Sequence, residues 1–131
     1  MIEAVNPPEL GTPRGFSHAM VGTGKVVLLA GQTALNPEGV IVGDTVVEQF
    51  ERALSNLLTA LRAAGGTPEH LASLTIYLVD VDDYKARSRD IGEVWKRLIG
   101  RHYPALAGIG VNRLWDVEAL VEVQGVAILP E

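Results

Sequence analysis

Apolar residues recur along the chain with two different periods, which predicts a protein of mixed helices and strands. Helical spacing of apolar positions predicts helices over residues 45–64 and from about 82 to 100, while alternating or continuous apolar runs predict strands. The predicted strands cover residues 16–21, 26–30, 71–79, 105–111 and 119–128. The chain is therefore expected to form one α+β domain, residues 1–131, with the element order β-β-α-β-α-β-β.

Capping and turn residues mark the ends of several of these elements. Thr45 followed by Glu48 predicts a capping box at the start of the first helix, and Gly65 with Gly66 predicts its end. Residues 22–24 (Gly-Thr-Gly) predict a turn that would join the first two strands as a hairpin.

The last predicted strand carries two polar residues where burial is expected. Side chains alternate across a strand, so one face of residues 119–128 is wholly apolar. The other face places Glu122 and Gln124 among Leu120, Val126 and Ile128. A carboxylate in such surroundings is costly unless it reaches water or a partner, and Glu122 is therefore the first candidate for catalytic chemistry.

Two helices cover only one face of a sheet of about five or six strands. The other face, judged from the last strand, is too apolar to meet open water over so many positions. We therefore expect copies of the chain to pack sheet against sheet in a closed symmetric oligomer with clefts between subunits. In those clefts Glu122 and Gln124 would find partners and a ligand.

Composition and charge narrow the classes of function. The chain is 47% hydrophobic and contains no cysteine, which excludes disulfides, thiolate metal sites and a cysteine nucleophile. A net charge of -5, without a run of Lys and Arg, disfavours nucleic acid as a partner. The 3 dispersed histidines do not predict a metal site. Without a recognisable signal peptide or a long apolar stretch, we expect a cytoplasmic protein with no membrane partner.

Short motifs occur in a fixed order along the chain. They lie at residues 16–19 (Phe-Ser-His-Ala), 30–32 (Ala-Gly-Gln), 63–66 (Ala-Ala-Gly-Gly), 77–80 (Tyr-Leu-Val-Asp), 83–84 (Asp-Tyr), 103–105 (Tyr-Pro-Ala) and 120–123 (Leu-Val-Glu-Val). This ordered set resembles the RidA (YjgF/YER057c) family from about residue 14 to residue 129. The resemblance implies a chorismate-mutase-like fold and a homotrimer with ligand clefts between subunits. It also implies hydrolysis of reactive enamines or imines to 2-oxo acids and ammonia, without a cofactor or metal.

The resemblance carries over to the site residues only in part. In the family's deaminases an arginine after the Pro-Ala pair binds the substrate carboxylate through a bidentate fork, and this position is Leu106 here. Further positions also depart from the family pattern, namely Phe16 in place of Tyr, Ala30 in place of Ser, Ser88 in place of Asn, and Gly108 in place of Cys or Thr. Gly31, Gln32 and Glu122 match the family.

These residues define a predicted ligand site. Glu122 is the predicted catalytic residue, which would orient and deprotonate a water, while backbone N–H groups near Ala107 and Gly108 would polarise a carbonyl or imine. The predicted substrate-binding residues are Phe16, His18, Gly31, Gln32, Ser88, Leu106, Ala107, Gly108 and Arg113. Arg113 or Arg14 of a neighbouring subunit could supply the positive charge that Leu106 lacks. Alternatively Glu122 is a structural carboxylate at the interface and Arg113 forms a salt bridge; Gln124 is expected to be structural.

Two functions from different classes remain open. The leading hypothesis is an enamine or imine deaminase-type hydrolase whose substrate differs from the usual 2-imino acids, because Leu106 cannot bind a small carboxylate. The alternative is a non-catalytic trimer that binds a small molecule or a protein partner. Endoribonuclease activity and translation inhibition, which are also attached to the family by name, require phosphate-binding charge that a net charge of -5 does not supply.

Overall fold

The computed structural model describes residues 2–131 and confirms the mixed α+β fold. Its elements are β1 (Ile2–Val5), β2 (Ala19–Gly22), β3 (Lys25–Gln32), α1 (Val46–Ala63), β4 (Leu71–Leu78), α2 (Val81–Ala86), α3 (Ser88–Leu98), β5 (Ala105–Gly110) and β6 (Val121–Leu129). Within the described residues, none of the helices has both the length and the apolar character needed to cross a membrane.

A main sheet with the strand order β3-β6-β4-β5 forms the centre of the molecule. Strands β4 and β5 run parallel, whereas β6 runs antiparallel to both β3 and β4. Helices α1 and α3 cover one face of this sheet and contribute with it to a single hydrophobic core. The largest fully buried side chains of that core are Phe50, Leu54, Leu57, Leu58, Leu61, Leu71, Leu74, Val121 and Val123.

Helix α1 begins and ends as its sequence predicts. The hydroxyl of Thr45 accepts a hydrogen bond from the backbone of Glu48 at 3.2 Å, and the Glu48 carboxylate accepts one from the backbone of Thr45 at 3.1 Å. This reciprocal capping box satisfies N–H groups that the first helical turn leaves unpaired. Gly65, at φ +96°, supplies the left-handed residue after the helix.

The buried side chain of Gln49 on α1 forms hydrogen bonds with the backbone just before β6. The amide nitrogen of Gln49 donates to the carbonyl of Glu118 at 3.2 Å, and its amide oxygen accepts from the backbone of Leu120 at 2.8 Å. Gln49 is only 3% exposed, so water does not compete for these bonds. The position of Glu122, two residues beyond Leu120, is therefore fixed relative to the core.

The hairpin predicted between the first two strands is wrong. Strand β2 pairs with β1 in a separate two-stranded sheet, with Ile2 opposite Gly22 and Val5 opposite Ala19, and β3 pairs with β6 instead. Strand β1 is short and lacks an alternating burial pattern, so hydrophobic periodicity does not reveal it. The main sheet consequently has 4 strands, fewer than the five or six expected.

The second predicted helix is divided into α2 and α3. Arg87 between them leaves helical geometry at φ -108° and ψ 23°, while its guanidinium pairs with Asp83 at 3.0 Å. The side chain of Asp80 caps α2 by accepting from the backbone of Asp83 at 3.0 Å. Gly92, the weakest helix former in this segment, lies inside α3 and does not interrupt it. Ser88 therefore opens a helix instead of lying within one.

The sheet face away from the helices is largely uncovered in a single chain. Val26 and Leu28 of β3 are 63% and 79% exposed, and Ile109 of β5 is 42% exposed. Together with the half-buried Val126 and Ile128 of β6, these residues form an apolar surface that we term the open face. Because so much adjoining apolar surface is unusual on a monomer, the open face supports the expected self-association.

Candidate functional site

Glu122 lies on the open face between β3 and β4. Its side chain is half-buried, stands opposite Tyr77 of β4, and contacts the backbone of Gly31 on the other side. Within residues 2–131 the carboxylate forms neither a hydrogen bond nor an ion pair. The hydroxyl of Tyr77 donates instead to the side-chain oxygen of Gln124 at 3.2 Å. The Glu122 carboxylate can therefore accept a proton or a hydrogen bond from a molecule outside the chain.

Gly31 allows that carboxylate to lie against the β3 backbone. A β-carbon built on Gly31 would collide with Oε2 of Glu122 and lie 3.0 Å from its Cδ. Gly31 therefore permits a close approach to the β3 backbone, and the group that approaches is the predicted catalytic carboxylate. Pairing between β3 and β6 is irregular between Leu29 and Gln32, and such an irregularity re-aims the side chains on either side of it.

Leu106 lies on the opposite, helix-covered face of the same sheet. It is the register partner of Leu74 on β4, whereas Glu122 is the register partner of Tyr77. Leu74 and Tyr77 are an odd number of residues apart on one strand, so their side chains point to opposite faces. One chain therefore cannot present Glu122 and Leu106 to the same small molecule.

Leu106 lines a cavity of about 370 Å³ beside α3, which we term the Leu106 cavity. Ser88 also lines it, so the structure brings together two of the predicted binding residues. Trp95 and Tyr103 stack along its wall with ring centroids 6.2 Å apart and planes inclined by 8°. The indole N–H of Trp95 donates to the carbonyl of His102 at 3.2 Å, which fixes the orientation of the ring.

Tyr84 adds a hydroxyl to the lining of this cavity. Its ring meets Phe50 edge-on at a centroid distance of 5.9 Å. Burial raises the pKa of Tyr84 to about 12, so the hydroxyl stays protonated at neutral pH. Because it has no hydrogen-bond partner among residues 2–131, it is available as a donor to a bound molecule.

Phe16, His18 and Ala107 line a neighbouring, more open cleft of about 320 Å³, which shares Leu106 with the first cavity. The rings of Phe16 and His18 meet in a T-shaped contact at 5.2 Å. One ring nitrogen of His18 lies 3.1 Å from the carbonyl oxygen of Gly11 and is engaged within the chain. The other ring nitrogen is the one that a ligand could use.

Gln32 and Gly108 lie apart from the Glu122 carboxylate. Gln32 is the register partner of the buried Val123 and lines the surface beside α1, so it does not share the open face with Gly31. Gly108 is the register partner of Ile76 on the helix-covered side. No atom lies within 4 Å of a β-carbon built on Gly108, so the space for a larger side chain is present.

The Arg113 side chain forms hydrogen bonds within its own turn. Its guanidinium donates to the carbonyl of Leu114 at 3.1 Å and to that of Trp115 at 3.2 Å. It does not line the Leu106 cavity of its own chain. Arg14 lines the cavity of its own chain, whereas the sequence suggested that it could supply a positive charge from a neighbouring subunit.

The aromatic wall formed by Trp95 and Tyr103 is not part of the ligand site that the sequence predicts. Ser88, Ile91 and Trp95 recur at helical spacing on α3, so this pattern contained a signal for one continuous wall. Arg14 lies in a loop and has no periodic signal. Its position depends on contacts between distant segments, which a sequence pattern does not report.

Neither region contains an evident metal centre. Among residues 2–131, no three His, Asp or Glu side chains lie together in a group that could hold a metal ion. The groups that could exchange protons or donate hydrogen bonds include the Glu122 carboxylate, the Arg14 guanidinium and the hydroxyls of Ser88, Tyr84 and Tyr103.

Known proteins share both the sequence pattern and this fold. Residues 8–129 match the family model described as Endoribonuclease L-PSP. A RutC family protein of Pyrococcus abyssi is 29% identical over 116 residues, which cover 88% of this chain and 87% of that protein. The 2-iminobutanoate/2-iminopropanoate deaminase of Homo sapiens is 28% identical over 105 residues, covering 79% of this chain and 73% of the human protein.

A solved structure agrees over nearly the whole chain. The crystal structure of a Rid family protein of unknown function from Yersinia pestis matches with a TM-score of 0.87 and 32% identity, and the match covers 98% of both chains. The resemblance seen in the ordered motifs is thereby confirmed. With the family match over residues 8–129, it shows that this chain belongs to the RidA (YjgF) family of endoribonuclease L-PSP-like proteins.

Proposed function

We propose that this protein is a deaminase-type hydrolase of small enamines or imines. The observation that carries the proposal is the Glu122 carboxylate, which is half-buried, unpartnered within residues 2–131 and held against the backbone of Gly31. Relatives named 2-iminobutanoate/2-iminopropanoate deaminase support imines as the class of substrate. The proposed reaction uses no cofactor, because adding water to an imine requires only proton transfer.

In the proposed mechanism Glu122 acts first as a general base. It takes a proton from a water molecule while the water oxygen bonds to the imine carbon and the imine nitrogen gains a proton, which gives a carbinolamine. The protonated Glu122 then gives its proton to the amine nitrogen, the C–N bond breaks and ammonia leaves. The hydroxyl group loses its proton to solvent, which replaces the proton that the imine nitrogen took from solvent, and the carbonyl of the product is complete. An enamine would enter the same route after protonation at carbon. Backbone N–H groups near Ala107 and Gly108, on the edge strand β5, are the proposed donors to the developing charge.

We propose a homotrimer with its reaction site between subunits. Glu122 and Leu106 of one chain lie on opposite faces of the main sheet, so a site that uses both needs a second copy. The exposed apolar side chains of the open face, including Leu28 at 79% exposure, provide a surface for that copy. The partners of the proposed enzyme are thus itself and a small metabolite.

We also propose that the substrate differs from the small 2-imino acids. A bidentate contact between Arg and a carboxylate contributes about 1.5–3 kcal/mol, and Leu106 cannot form one. The apolar lining contributed by Leu106, Ile76 and Ile91 favours a larger and less polar substrate.

Replacing Glu122 tests the catalytic role. We expect Glu122→Gln to lower kcat by about 10²–10⁴-fold, the usual contribution of a general base, with the oligomer intact. Turnover is followed as ammonia release from imines generated in situ from a panel of L-amino acids by an amino acid oxidase. Glu118→Gln, which changes an exposed carboxylate near the start of β6, is the matched control. Full activity of the Glu122→Gln variant would rule out this mechanism.

Restoring an arginine at position 106 tests the substrate claim. We expect Leu106→Arg to raise kcat/KM for the imine of alanine by about 10–100-fold, because a guanidinium at position 106 adds a bidentate carboxylate contact inside the cavity, where a small substrate lies. Leu106→Met keeps the size and apolar character of the side chain and should leave that kcat/KM unchanged. If the wild type hydrolyses the alanine imine with the same kcat/KM as the Leu106→Arg variant, the proposal that its substrate differs from the small 2-imino acids is contradicted.

A non-catalytic binding module is the second candidate. The Leu106 cavity exists in a single chain and does not depend on Glu122, and this independence favours binding without turnover. If the wild type turns over no imine in the panel but binds small molecules in this cavity, this second function replaces the first. Ribonuclease activity is disfavoured by the net charge of -5.

A further inference from the structure

Among residues 2–131, Arg14 is the one charged residue in the lining of the Leu106 cavity. The other described residues of the lining are apolar, aromatic or hydroxyl-bearing, and none of them carries a carboxylate. Within residues 2–131 Arg14 forms no hydrogen bond or ion pair, whereas Arg87 and Arg97 pair with carboxylates at 3.0 and 2.9 Å. An unpaired guanidinium beside an apolar cavity is suited to a planar anion such as a carboxylate.

The segment that carries Arg14 is fastened to the wall of the cavity. The hydroxyl of Ser17 donates to the carbonyl of Tyr103 at 2.6 Å, and Ser17 is only 6% exposed. A ring nitrogen of His18 lies 3.1 Å from the carbonyl oxygen of Gly11, which closes the loop around Arg14. The backbone on both sides of Arg14 is therefore held by hydrogen bonds, and Arg14, whose side chain is exposed to solvent, lies at the rim of the cavity.

The size and walls of the cavity indicate what kind of molecule it accepts. A dry cavity of about 150 Å³ is sufficient to bind benzene, so a volume of about 370 Å³ leaves room for a phenyl or branched alkyl group. The stacked rings of Trp95 and Tyr103 offer a flat apolar wall, and Leu106 and Ile76 extend it. The cavity is therefore larger and more apolar than a substrate with a methyl or ethyl side chain requires.

We propose that Arg14 is the carboxylate-binding residue of this chain and selects 2-imino acids, or their enamines, with an aromatic or branched aliphatic side chain. The side chain enters the Leu106 cavity, while the carboxylate remains near Arg14 with Ser88 as a second donor. The guanidinium thus comes from the N-terminal loop and not from position 106. The imine as reacting group rests on the proposed function, whereas the binding mode stands independently of turnover.

Calorimetric titration of the full chain with 3-phenylpropanoate and 3-phenylpropanamide tests the proposal. The two probes share a phenyl group and differ in charge. We expect the wild type to bind the acid at least about tenfold more tightly than the amide, and Arg14→Leu to lose this preference with its affinity for the amide unchanged. Arg14→Gln, which keeps a polar side chain, should lose it equally. Arg89→Leu removes an exposed arginine on α3 outside the cavity lining and should change neither affinity.

The location is tested by tryptophan fluorescence in a Trp115→Phe background. Trp115 is 91% exposed, so its replacement leaves Trp95 as the reporter without disturbing the core. We expect 3-phenylpropanoate to change the emission of Trp95 in parallel with the calorimetric titration. The proposal would be overturned if the wild type bound neither probe, or bound the acid and the amide equally tightly. It would also be overturned if the emission of Trp95 did not change, or if Arg14→Leu bound the acid as tightly as the wild type does.

The role of Arg14 in binding and the proposed hydrolysis can be tested separately. The probes do not react, so their binding is measured independently of turnover. If the protein hydrolyses no imine but binds 3-phenylpropanoate through Arg14, the proposed hydrolase activity is excluded and the role of Arg14 in binding is retained. If the protein hydrolyses imines but Arg14→Leu changes neither the affinity for 3-phenylpropanoate nor the KM, only the role of Arg14 is excluded.

Discussion

Glu122 and Gly31 act as a structural pair although they are distant in sequence. The absence of a side chain on Gly31 lets the Glu122 carboxylate lie against β3, where it remains half-buried without an internal partner. Alternation along the last strand was sufficient to single out Glu122 from the sequence. The dependence of its position on Gly31 was not predictable in the same way, because it arises from pairing between β3 and β6.

This pairing gives a direct prediction for Gly31→Ala. The added methyl group collides with the Glu122 carboxylate and forces it away from its position, so we expect kcat to fall by about tenfold or more. Steady-state kinetics on the imine panel measures the effect. In a Glu122→Gln background the same change should have no further effect on kcat, because the displaced carboxylate is already absent. An equal loss in both backgrounds would contradict a role through Glu122.

Local rules predicted the elements whose ends and faces are set by near neighbours. The bounds of α1 follow from its capping box and Gly65, and the buried and open faces of β6 follow from strand alternation. Strand β1 and its pairing with β2 could not be found locally, because β1 has no burial alternation and its partner is distant. Arg14 reached the cavity through similar long-range contacts, in particular the bond from Ser17 to Tyr103.

The capping box of α1 predicts how stability depends on pH. Hydrogen bonds from the backbone N–H groups of Asp44 and Thr45 hold the pKa of Glu48 below its ordinary value of 4.5. A carboxylate with a lower pKa in the folded state stabilises that state above its unfolded pKa, and this contribution is lost as pH falls. We expect Glu48→Gln to be less stable than the wild type at neutral pH, with the difference shrinking below pH 4.5.

Urea unfolding followed by circular dichroism across that pH range measures the difference in the free energy of unfolding. Glu93→Gln, which changes an exposed carboxylate on α3 without a partner among residues 2–131, is the control for loss of a surface carboxylate outside the cap. A difference between Glu48→Gln and wild type that is constant at every pH would contradict the electrostatic role of the cap.

At the scale of the whole molecule, the two parts of the proposed site lie on opposite faces of the main sheet. The Leu106 cavity lies on the helix-covered side of the main sheet, and the Glu122 carboxylate lies on the open face. The open face also exposes apolar side chains that a second copy of the chain would cover. Assembly and catalysis are therefore linked in the proposed function, since packing of copies would bring the cavity of one chain to Glu122 of the next.

Mixing two inactive variants tests this link most directly. Glu122→Gln lacks the proposed base, and Ser88→Trp is designed to fill the Leu106 cavity from an exposed position at the start of α3. If each site takes its halves from neighbouring chains, random trimers refolded from equal amounts should contain intact sites at about one quarter of their boundaries. We predict that the mixture recovers about one quarter of wild-type imine hydrolysis, while each variant alone is inactive. A mixture no more active than its separate components would contradict a site shared between chains.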